Sequence, residues 1–64
     1  MTGKWRRVVT WDDKQLRLLM GLCTVSDGVI TVTSEYGTKR TQLGGMPPFD
    51  LARMVLRELA ADRA

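Results

Sequence analysis

The sequence predicts an α+β domain, a four-stranded antiparallel β-meander followed by one C-terminal α-helix (ββββα), with residues 1–64 as a single domain. Three observations predict it. The first two thirds of the chain is made of short β-branched, aromatic and aliphatic runs separated by polar or glycine-containing reversals. One reversal is Asp27-Gly28, the pair that best fits a tight hairpin turn. After Pro47-Pro48 the apolar spacing changes to a helical period.

The first strand is expected over about 4–11, where Trp5, Val8, Val9, Thr10 and Trp11 suit a pleated surface. Asp12-Asp13-Lys14 is polar and turn-prone. The second strand, about 16–25, is almost wholly apolar and ends at Ser26-Asp27-Gly28. A type I′ turn there needs positive φ at both central residues, which Asp and Gly tolerate. Val29 to Tyr36 makes the third strand, Gly37 marks a reversal, and a short polar fourth strand covers about 38–43. Gly44-Gly45 ends the sheet. The helix, about 48–61, opens on proline, whose missing N–H would have no intrahelical partner in the first turn. Asp50 follows near the positive end of the helix dipole. Leu51, Ala52, Val55, Leu56 and Leu59 fall on one side, and Arg53, Arg57 and Ala60 are expected on the other.

Strand parity carries the functional reading. With Asp27-Gly28 as a two-residue loop, Val25 faces Ile30, Cys23 faces Val32 and Leu19 faces Tyr36 on one side of the sheet. Leu18, Met20, Leu22 and Val29 then point to the other side. If Asp13-Lys14 closes the first hairpin, Trp11 faces Leu16, Val9 faces Leu18 and Trp5 faces Leu22, placing both tryptophans on the Met20 side. A three-residue loop would reverse that parity. A strand apolar on both faces needs cover on both, and one helix covers one. A second copy of the chain, docked through Val9, Leu18, Met20 and Leu22, is the expected cover; a strongly curled sheet is the alternative.

Composition bounds the chemistry. A chain of 64 residues buries only about 60% of its unfolded surface. With one cysteine, Cys23, and no histidine, neither an internal disulfide nor a zinc site can support it. No metal and no cofactor are expected. Met1 to Arg7 lacks the apolar stretch of a targeting signal, and the longest apolar run, Leu18 to Cys23, is far too short to span a membrane. A cytoplasmic location without membrane attachment is the expectation.

Histidine-based acid–base chemistry is excluded. Asp12 and Asp13 read as turn residues, and Cys23 as a buried thiol without a base beside it. Gly44-Gly45 is a poor phosphate cradle, because Pro47 and Pro48 remove backbone donors where such a loop needs them. No catalytic residue is assigned. The net charge of +3 lies entirely in residues 1–45, with seven Lys/Arg against four Asp/Glu, while residues 46–64 carry three of each. Trp5, Arg6 and Arg7 on the first strand, with Tyr36, Lys39 and Arg40 in the last hairpin, combine cations and rings as single-stranded nucleic-acid binders do.

The order of elements is similar to that of a family of transcriptional coactivators, small ββββα dimers that bind single-stranded DNA. The likeness is one of topology and extends to no residue motif, so no residue role is carried over. The sequence is thus read as a small non-enzymatic binding or regulatory module acting as a homodimer. Single-stranded nucleic-acid binding through a basic, aromatic sheet surface is the alternative.

Overall fold

Asp27 and Gly28 adopt φ of 54° and 75°, the two positive values a type I′ turn demands, and so fix the central hairpin. Around it the computed structural model, which describes residues 4–63, forms β1 (Arg6–Asp12), β2 (Arg17–Ser26), β3 (Val29–Ser34), β4 (Gly37–Gln42) and α1 (Pro48–Arg63). The strands make one antiparallel sheet in the order β1-β2-β3-β4, so the molecule is the ββββα fold. Met1–Gly3 of the targeting reading and Ala64 of the domain span lie outside the described residues. No helix among the described residues is long and apolar enough to cross a membrane.

The β2–β3 register pairs Val25 with Ile30 and Cys23 with Val32, as parity predicts. The ladder stops at Leu22↔Thr33, however, so Leu19 has no Tyr36 opposite it. Tyr36 belongs to the next turn, which is tied by the Tyr36 N–H donating to Ser34 Oγ at 3.1 Å. β2 also pairs with β1 over Arg17 to Cys23, so residues 17–21 of β2 and 8–12 of β1 extend beyond the β3 ladder as a two-stranded arm.

The first hairpin differs in its loop. Asp13 to Leu16 form a four-residue turn, and Trp11 pairs with Leu18, Val9 with Met20 and Arg7 with Leu22. Leu16 is therefore neither strand nor the partner of Trp11. It takes a left-handed φ of 53° and is exposed. The cause is Asp12, whose buried carboxylate accepts the backbone N–H of Lys14 at 3.0 Å and of Gln15 at 3.4 Å. That bond winds the chain two residues further before it can pair. Four and two are both even, so Val9, Trp11, Leu18 and Met20 still share a face.

α1 crosses all four strands on one side of the sheet. Leu51, Ala52, Val55, Leu56, Leu59 and Ala60 are buried against Val8, Leu19, Cys23, Ile30 and Val32. Ala60 was expected on the outer side. It lies four residues beyond Leu56, one turn along the same stripe, and a methyl group fits where helix and sheet approach. Burial of Leu51, Val55, Leu56 and Leu59 contributes on the order of 6–12 kcal/mol before the entropy of ordering is subtracted. Gly21 makes the close approach possible. A Cβ there would meet the Thr33 carbonyl oxygen at 2.8 Å and Leu56 Cδ1 at 3.3 Å.

Candidate functional site

The sheet face opposite α1 is built by alternation. It collects Arg7, Val9 and Trp11 of β1 with Leu18, Met20, Leu22, Thr24 and Ser26 of β2. To these it adds Val29, Thr31 and Thr33 of β3 and Thr38, Arg40 and Gln42 of β4. Its two halves differ in chemistry. The β1–β2 arm, with Leu22 at its base, presents Val9, Trp11, Leu18, Met20 and Leu22, each 42–62% exposed. The β3–β4 half is hydroxyl-rich, with Thr33 and Thr38 joined Oγ1 to Oγ1 at 2.7 Å.

The four side chains expected at an interface, Val9, Leu18, Met20 and Leu22, are thus brought together on this open face. Trp11 joins them, across from Leu18. At these exposures the five present on the order of 500 Å², high in the roughly 300–600 Å² typical of a monomer's largest apolar patch.

The six residues singled out for nucleic acid are not brought together. Residues adjacent on a strand point to opposite faces. Arg7 and Arg40 lie on the open face, and Trp5, one residue before β1, continues that parity. Arg6 and Lys39 lie on the helix side, in one row through Cys23 and Val32. Lys39 Nζ donates to Glu58 Oε1 of α1 at 3.0 Å. This hydrogen bond first, and the Glu58 charge second, raise the Lys39 pKa above its ordinary value. Tyr36 packs against the core, and the Arg17 guanidinium sits over its ring at 5.1 Å from the centroid. Parity carries the split of Arg6 from Arg7 and of Lys39 from Arg40. The capture of Lys39 by Glu58, nineteen residues away, leaves no local signal in the sequence.

The groups considered for chemistry have structural surroundings. Asp12 is spent on its turn, and Asp13 stands exposed beside it. Cys23 is buried in the core, where burial pushes the thiol pKa up while the Arg6 charge pulls it part of the way back. Among the described residues, no group of three His, Cys, Asp or Glu is placed to hold a metal ion. No family model matches this chain, and no curated protein or solved structure is significantly similar to it.

Proposed function

We propose that the protein is a non-enzymatic binding module that works as a homodimer, joined through the open face of its β1–β2 arm. The observation that carries the reading is the contiguous exposure of Val9, Trp11, Leu18, Met20 and Leu22 on the sheet face that α1 does not cover. A standard interface buries about 800 Å² per partner. The apolar cluster supplies most of that, and the adjoining polar rows supply a rim.

A second copy fits the charge distribution. A two-fold axis through the Val9–Met20 row lays apolar surface on apolar surface. It also carries the two copies' Arg7 side chains to opposite sides of the axis, with Arg40 further out along the sheet. No like charges meet at the centre.

Sedimentation equilibrium across a hundredfold range of concentration tests the proposal. The wild type should approach twice the chain mass, and its melting temperature should rise with concentration. Met20→Glu buries an unpaired charge in that seam and should sediment as a folded monomer. A wild type that stays monomeric at high concentration, with a melt independent of concentration, overturns the reading.

A further inference from the structure

Away from the apolar cluster, toward the Asp27-Gly28 turn, the open face holds a hollow of about 380 Å³ whose lining includes Trp5, Thr24, Asp27, Thr31 and Arg40. Register explains the grouping. Thr24 pairs with Thr31 and Thr31 with Arg40, and extending the Arg6↔Cys23 register by one residue sets Trp5 beside Thr24. One row across the sheet thus sets an indole, the buried Thr24 hydroxyl, the half-buried Thr31 and a guanidinium side by side.

Two observations mark this row as more than solvated surface. Thr24 lies on the open face yet is only 9% exposed, and its Oγ1 is buried with no hydrogen-bond partner among the described residues. Buried hydroxyls normally have one. Arg40 is exposed and makes no ion pair among the described residues, whereas its neighbour Lys39 is held by Glu58. A half-exposed indole offers a stacking surface for a planar ring. A guanidinium is a two-pronged donor suited to phosphate. Asp27 is acceptor-only, so it repels phosphate from the turn end of the hollow and welcomes N–H groups there.

We infer that this hollow binds a nucleotide moiety, with its base stacked on Trp5, its phosphate on Arg40 and its base edge toward Asp27. The Thr24 hydroxyl gains its partner as the indole turns onto the base. The site goes beyond the dimer reading and does not rest on it, since Trp5 lies four residues, about 13 Å of extended chain, from Val9 at the proposed two-fold.

The test uses the full chain labelled with ¹⁵N, at low salt, with dAMP and a ten-nucleotide oligodeoxyadenylate as the two probes. Adenine is chosen because its exocyclic amine gives Asp27 a donor. The Trp5 indole N–H resonance, assigned by its loss in Trp5→Phe, should shift on titration. Trp5→Ala and Arg40→Ala should each weaken binding about tenfold or more. Thr24→Val should weaken it several-fold with the melting temperature unchanged or raised. Equal affinity per site for the two probes identifies a free-nucleotide pocket. Tighter, length-dependent binding of the oligonucleotide, falling with salt at a slope near −0.7 per phosphate, identifies a strand; either result upholds the site. No Trp5 shift with either probe overturns it, as does an affinity that Trp5→Ala and Arg40→Ala leave unchanged. Sedimentation of the same samples reports the dimer separately, so a monomer that still shifts Trp5 fails the dimer and keeps the site.

Discussion

Leu18 and Leu19 are adjacent, chemically identical and part of the same strand, yet Leu18 is 62% exposed and Leu19 is 1% exposed. They stand for the two faces of β2. On one face Leu19, Cys23 and Val25 meet α1 and the core; on the other Leu18, Met20 and Leu22 meet water. Hydrophobicity therefore does not decide which face is sealed. Among the described residues α1 is the one layer packed on the sheet, and its connection to β4 commits it to one side. What the helix leaves uncovered is the surface on which a function of this chain has to be sought.

The sharpest way to break that comparison is to truncate each leucine in turn. Leu19→Ala leaves a hole in a packed core and should cost about 2–5 kcal/mol, a large share of the stability open to a chain of 64 residues. Leu18→Ala should change the stability of the isolated chain by no more than about 0.5 kcal/mol, as surface changes do, while weakening self-association. Urea unfolding at low and high protein concentration separates the two effects. Equal losses in both variants at low concentration would mean that the two faces are equally buried.

A smaller effect is expected at Gly21, where the two faces are set apart. Its Cβ position points toward α1, and the nearest obstacle is a backbone oxygen, which cannot swing away as the end of a side chain can. Gly21→Ala should therefore push β2 from β3 and α1, at a cost of about 1–3 kcal/mol. Thermal unfolding checks the size. A chemical-shift map that moves Leu56 and Thr33 more than Leu18 and Met20 checks the direction.

Much of this fold is legible in the sequence, and the reasons differ from place to place. Asp27-Gly28 is a local signal, and the registers of Val25 and Cys23 follow from it by counting. The tryptophan side of the sheet was legible only through parity, which survives an error of two residues in the loop. The loop itself was not, because Asp12 acts through a side-chain-to-backbone bond that lengthens the turn and carries Leu16 out of the strand. Ala60 was hidden by its size, since a methyl group at the edge of a helical stripe reads equally well as surface. The nucleic-acid set mixed residues from both faces, although the two-residue period of a strand already separates Arg6 from Arg7. The hollow at Thr24 was invisible to sequence, since an unpartnered hydroxyl is a fact of packing.

The last and smallest expected effect concerns the sealed face alone, through Cys23. Burial raises its thiol pKa and Arg6 lowers it by less, so the folded protein prefers the neutral thiol more strongly than the unfolded chain does. The sign follows from linkage. Below the ordinary pKa of a solvated thiol both states are protonated and the stabilisation is whole. As pH rises above that value the unfolded chain ionises first, and the contribution is lost progressively until the folded thiol titrates as well. Wild type should therefore lose melting temperature on the alkaline side more steeply than Cys23→Ala, and the gap between the two should narrow as pH rises. Arg6→Gln removes the opposing charge, raises the folded pKa further and should steepen the wild-type slope. Parallel melting curves for wild type and Cys23→Ala from pH 7 to 10 would mean that the thiol is solvated in the folded state. The Leu19 face would then be less tightly sealed than its burial implies.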